Sequence, residues 1–141
     1  MIMKKVLFIM AVSAMAAGCA DNSIPKAQLP ELDLSNPLLA AWDTPHETPP
    51  FSEIKLADYE PAFDAAIACS RAEIDAIVGT SDEPTFENTI AAYDASGRML
   101  QRTSLIFEML AASDATPEMQ AVEQEAMPLL AAHADEIRMN E

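Results

Sequence analysis

The chain has 141 residues, with 8 basic and 23 acidic side chains and a net charge of −15 near neutral pH. A surface of that sign repels a nucleic-acid backbone, so nucleic acid is excluded as a partner. Three glycines in the whole chain speak against a phosphate-cradling glycine loop and against turn-rich sheet architectures. Half of the residues are apolar, many of them alanine, which suits one small core of closely packed helices. The acidity itself reads as a solvated surface that limits non-specific association.

Residues 1–18 read as a signal peptide. Lys4 and Lys5 form its charged start, and the apolar run from Val6 to Met15 is too short to span a bilayer as a stable helix. Without this segment the chain keeps 6 basic and 23 acidic residues, a net charge of −17. Ala16-Ala17-Gly18-Cys19 resembles a bacterial lipoprotein signal, with Ala16 standing where a larger aliphatic residue is usual. That resemblance implies lipidation of Cys19 and a lipid-anchored protein of the bacterial cell envelope, facing the periplasm or the surface. The competing expectation is an ordinary secretory signal cleaved nearby, with Cys19 incidental. Residues 19–35 carry Pro25, Pro30 and no sustained periodicity, and read as a tether with a reach of about 20–25 Å.

Residues 36–141 form the expected helical body. Pro37, Pro45, Pro49 and Pro50 make its first stretch irregular and extended, with Trp42 as an anchor onto the core. Asp58 is the candidate N-cap of a first helix running to Val78, with Pro61 in its opening turn and Gly79 as its stop signal. Arg71 and Asp75, four apart, are placed to pair on its outer face. Thr85 is the candidate N-cap of a second helix, with Glu87 near the positive end of its dipole. Phe86, Ile90, Tyr93, Gly97, Leu100, Ser104, Phe107 and Ala111 follow a 4-3-4-3 step, which predicts one helix of about 40 Å over residues 86–112. Gly97 then sits in mid-helix, as a close approach of a neighbouring helix would require. This helix is apolar over more than one face, so it is expected to contact more protein than this chain supplies. Thr116-Pro117-Glu118 opens a third helix, which Pro128 should kink or divide after Met127. The fold class is all-α, built of long antiparallel helices.

No complete catalytic constellation stands in the sequence. His46-Glu47-Thr48-Pro49-Pro50 begins like a zinc-binding H-E-x-x-H but has proline where the second histidine belongs. His133 and Glu136, three apart on a helix, make at most half of a metal site; His133 shares the apolar face and reads as a core or interface histidine. Cys69 reads as a small buried apolar residue. The acidic clusters Glu123/Glu125 and Asp135/Glu136 read as a solvated face.

Several ordered segments resemble the N-terminal region of the thimet-oligopeptidase-like zinc metallopeptidases, in the branch of bacterial peptidyl-dipeptidases (dipeptidyl carboxypeptidases). They are Asn36-Pro37-Leu38-Leu39, Trp42-Asp43-Thr44-Pro45, Pro49-Pro50-Phe51, Asp58-Tyr59 with Pro61-Ala62-Phe63, and the run from Arg71 to Val78. Pro84-Thr85-Phe86-Glu87-Asn88-Thr89-Ile90 follows, then Ser96-Gly97 with Leu100 and Arg102, then Glu118-Met119-Gln120 and, more loosely, Pro128-Leu129-Leu130. The resemblance implies an all-α enzyme with a deep channel for short peptides, one zinc ion, and release of dipeptides from peptide C-termini. It places the zinc ligands and catalytic residues outside residues 1–141, which are then expected to be inactive alone. It makes residues 36–141 an incomplete domain, with the helices forming part of the channel wall. The alternative reading is a non-catalytic, lipid-anchored helical binding or scaffold module.

Overall fold

The computed structural model describes residues 24–139. The signal segment 1–18, Cys19 and the first residues of the tether lie outside the described residues. Helices account for the regular structure, and no strand occurs among the described residues. Helix α1 spans Tyr59–Val78, a π-helical turn at Phe86–Ala91 leads into the short helix α2 at Ala92–Ala95, α3 spans Arg98–Ser113, and α4 spans Pro117–Arg138. Short 3-10 turns occupy Pro45–Glu47 and Leu56–Asp58.

α1 is the central element and packs against both α3 and α4. The start of α1 meets the end of α3 through Tyr59 and Phe107, and its later half meets the start of α3 through Glu73 and Gly97. These two helices are therefore antiparallel. Ser70–His133 and Arg71–Glu136 join the later halves of α1 and α4, which run parallel. The result is an up-down-up bundle in which helices consecutive in sequence alternate direction.

The core sits at the N-terminal end of α1. Leu38, Leu39, Tyr59, Ala62, Phe63, Ile106, Phe107 and Ala126 are buried together. The Tyr59 and Phe107 rings meet edge to face at 5.0 Å, and Phe63 and Phe107 at 5.6 Å. Such geometry contributes about 0.5–1.5 kcal/mol per pair beyond the area buried. The proline-rich segment is irregular, as its composition predicts, and it is pinned at Trp42. The indole N–H donates to the Pro37 carbonyl at 2.7 Å, and the Arg102 guanidinium stacks 4.4 Å from the ring centre. Arg102 also donates to the carbonyls of Leu38 and Ala40 at 2.6 and 3.3 Å. One α3 side chain thus ties the extended segment to the bundle.

Thr85 caps the second helical segment as its position predicts. Its Oγ1 accepts from the Asn88 N–H at 3.1 Å, and Asn88 Oδ1 accepts from the Thr85 N–H at 2.7 Å. Asn88 completes the reciprocal cap, with Glu87 in the first turn as expected, and the Asn88 amide also donates to the Glu83 carbonyl at 3.0 Å.

Three local expectations are corrected. The helix over 86–112 is not continuous: Ser96 is extended and Gly97 takes φ +68°, a left-handed conformation that glycine adopts without steric cost. This break resets the helical phase, so Phe86, Ile90 and Tyr93 face solvent while Asn88 and Ala92 are buried. The close approach inferred for Gly97 is real, since a Cβ there would lie 3.4 Å from Ser70 Oγ. Asp58 does not cap α1 with its side chain; its carboxylate accepts from the Lys55 N–H at 2.7 Å and closes the preceding turn. Gly79 stops α1 as its position predicts, at φ −79° and so without a left-handed turn; its lack of a side chain matters because a Cβ would fall 2.8 Å from the Asp75 carbonyl oxygen. Finally, α4 continues through Pro128 undivided. Pro128 is exposed, so the carbonyl that loses its helical donor can turn to water.

Candidate functional site

Polar contacts concentrate in the C-terminal half of α1, away from the aromatic core. Three side chains within one turn reach three different partners. Ser70 Oγ lies 2.9 Å from His133 Nε2 on α4. Arg71 makes a two-pronged pair with Glu136, donating from Nε and Nη2 at 2.8 and 2.9 Å. Glu73 accepts from the backbone N–H of Gly97 at 2.7 Å, holding the break before α3. Arg71 therefore pairs across the bundle and not with Asp75. A planar guanidinium matches a carboxylate in two bonds at once, which a flexible pair four apart on one exposed helix face does not require. The Arg71 hydrogen bonds hold the Glu136 carboxyl below its usual range, and Glu136 in turn raises Arg71.

Ser70 and His133 are each 3% exposed and form the floor of an open groove of about 680 Å³. Its walls carry Tyr93, Leu100, Gln101, Leu130 and Ile137, and Arg138 stands at its rim. Ser70, His133 and Glu136 have the membership of a nucleophile, base and orienting acid, but not the geometry. The Nδ1–Oε2 separation is 3.6 Å, beyond a hydrogen bond. Both Glu136 oxygens are held by Arg71. The nearby Gly97 N–H is committed to Glu73, so it cannot serve as the donor to a developing oxyanion. The arrangement orders helices and does not activate a hydroxyl.

The sequence-derived candidates fall as follows. His133 is buried, with Nε2 bonded to Ser70 and Nδ1 lacking a hydrogen-bond partner, so it is the expected core histidine with one nitrogen left over. Cys69 is buried, and its thiol is pushed up by burial and, secondarily, by Glu73. His46 and Glu47 are exposed on a 3-10 turn with φ of 60° and 54°, far from the helix a zinc motif needs. Cys19, the lipidation candidate, lies outside the described residues. Among the described residues no three His, Cys, Asp or Glu side chains converge on a point that could hold a metal ion. Ser70 and Glu73 carry no local signal in the sequence, because their partners lie 63 and 24 residues away.

No family model matches the chain. Over 106 residues it is 36% identical to the dipeptidyl carboxypeptidase of Salmonella typhimurium (strain LT2), a stretch that makes up 75% of this chain and 16% of that protein. Over 105 residues it is 35% identical to the dipeptidyl carboxypeptidase of Escherichia coli (strain K12), covering 74% of this chain and 15% of that protein. The chain thus spans about a sixth of the length of the curated relatives it matches, and is homologous to them over that portion.

Proposed function

We propose that this chain is the N-terminal helical region of a peptidase of the dipeptidyl carboxypeptidase type, which releases dipeptides from the C-termini of short peptides. The observation that carries the proposal is the 36% identity sustained over 106 residues. The all-helical bundle agrees with it, and so does the ordered series of segments from Asn36 to Leu130. In this reading the bundle is a wall beside the chemistry. Its own polar side chains are spent within the bundle: Ser70 on His133, Arg71 on Glu136, and Glu73 on the backbone N–H of Gly97.

The zinc ion implied for such an enzyme does not fit the residues brought together among the described ones. His133 offers one free nitrogen, and the nearest carboxylate, Glu136, is already neutralised by a bidentate arginine. Metal ligation needs three protein groups converging on one open position. The proposal therefore assigns zinc and the reacting groups to other parts of the protein, and gives this region the tasks of shaping and positioning.

The test is a chimera in which the matched stretch of the Salmonella relative is replaced by the corresponding residues of this chain. Dipeptide release within about tenfold of the parent is the expected result. A folded chimera that loses more than ~100-fold, the scale on which misplaced positioning walls act, refutes the proposal. Anchoring at the bacterial envelope through a lipid on Cys19 is part of the same proposal, supported by Lys4, Lys5, the apolar run and Ala16-Ala17-Gly18-Cys19. Cys19→Ser should abolish acyl labelling and membrane partitioning; unchanged labelling would remove the lipid from the account.

A further inference from the structure

Residues 24–35 precede the first of the segments that resemble the peptidases, yet they lie along the bundle. At one end Ile24, Pro25 and Ala27 wall a cavity of about 380 Å³ together with Ile77 of α1 and Ala95 of α2. At the other end the buried Asn36 donates from its side-chain amide to the Asp58 carbonyl at 2.8 Å, where α1 begins. The segment therefore follows α1 from its last turn back to its first. From Asp58 to Ile77 the helix rises about 28 Å, and the chain from Pro25 to Asn36 spans at most about 40 Å. Most of its reach is spent on that path. Pro25 and Ala27 are half-buried between exposed Ile24, Lys26 and Gln28, the alternation of an extended chain lying on a surface. Leu32, further on, is half-buried as well.

We propose that residues 24–35 are a strap along α1, and that the strap holds the end of the bundle bearing the last turn of α1 at a lipid headgroup surface. The proposal rests on the lipid anchor at Cys19 proposed above. Residues 20–23 separate Cys19 from Ile24, and a stretch of that length spans at most about 18 Å whatever its course. A slack segment over all of residues 19–35 would let the bundle stand off by about 20–25 Å and turn freely; the strap removes most of that freedom. Ile24 and Leu29 are exposed on either side of the exposed Lys26, a mixture of apolar and basic side chains that suits the headgroup region. Asp75, Asp82, Glu83 and Asp94 are exposed toward the same end and oppose an anionic surface. The acyl chains and the short link, not charge, therefore set the contact.

The test uses the full-length native product in phosphatidylcholine vesicles that carry a nitroxide quencher on the headgroup. A fluorophore is placed at Val78→Cys, at the end of α1, or at Asp114→Cys, after α3; both positions are exposed, and Cys69 is buried. Because α3 runs antiparallel to α1, the two labels stand at opposite ends of the bundle. Quenching at position 78 about fivefold above that at position 114 is expected, since the ends are about 30 Å apart along α1. Spin labels at Lys26→Cys and Asp82→Cys should give one narrow distance distribution by double electron–electron resonance. Ala27→Asp with Leu32→Asp should broaden that distribution and remove the quenching difference, with circular dichroism verifying that the variant folds. A broad distribution without those two substitutions overturns the proposal, as does equal quenching at the two ends. Acyl labelling of Cys19 is measured on the same preparation. Labelled protein without the quenching difference overturns the strap's role and leaves the anchor standing; unlabelled protein overturns the anchor and this proposal with it.

Discussion

Replacing Gly97 by alanine gives a result whose sign depends on the architecture. In an unbroken helix over 86–112, Gly97→Ala would stabilise the chain by ~1 kcal/mol, the difference in helix propensity. In the observed structure Gly97 has φ +68°, where a side chain costs about 1–2 kcal/mol. Alanine also narrows the unfolded ensemble, which offsets ~0.4–1 kcal/mol. Its Cβ would sit 3.4 Å from Ser70 Oγ, close to ordinary contact, so the clash term is small. The net expectation is a loss of about 1 kcal/mol, or roughly 4–6 °C in Tm for a domain of this size. Gly97→Asn, which tolerates the left-handed region better, should lose about half as much. The assay is thermal and urea unfolding of the full chain, followed by circular dichroism at the helical band. An unchanged or raised Tm for Gly97→Ala would refute the break before α3, and with it the account of why Phe86, Ile90 and Tyr93 face solvent.

Other outcomes follow from the same contacts. Arg102→Ala removes the hydrogen bonds to the Leu38 and Ala40 carbonyls and the stacking on Trp42; a loss of ~2–3 kcal/mol is expected, with a red shift of tryptophan emission, and unchanged emission would contradict the clamp. Glu136 is held below its ordinary carboxylate value of 4.5 by Arg71, so it stabilises the fold above that pH and loses the contribution as pH falls through its lower folded value. The stability difference between the native chain and Glu136→Gln should therefore be level near neutrality and vanish in acid; a difference that grows below pH 4.5 would show the opposite sign of linkage. The Cys69 thiol is buried and raised, so it should react with a thiol reagent at the rate of unfolding and not on mixing.

Local signals in the sequence agree with the structure where the physics is local. Thr85 as a cap, Pro117 as a first-turn residue and Pro61 inside the opening of α1 all depend on neighbours within a few residues. Burial of Cys69 and His133 followed from their places in an apolar pattern. The 4-3-4-3 series held through Phe107 but failed before Gly97, because a regular step presumes constant rotation per residue and one left-handed residue cancels it. Sequence points Arg71 to Asp75 because it shows only neighbours on one helix; the partner lies 65 residues away on α4. The Ser70–His133 contact was hidden for the same reason, since an ordinary mid-helix serine announces nothing about what crosses above it.

That pair has a consequence for how the bundle chooses among its own alternatives. The contacts of α4 with α1 toward the aromatic end involve Ala126 and its neighbours, where a slip of one turn, about 5.4 Å, is opposed by shape alone. Ser70–His133 and Arg71–Glu136 do not survive such a slip: it would strand a buried imidazole and split a two-pronged ion pair at once. The apolar contacts bring the helices together, and the two polar ones act as a vernier that fixes their axial alignment. Because His133 also lines the groove, the setting of that vernier fixes the shape of the groove between α3 and α4.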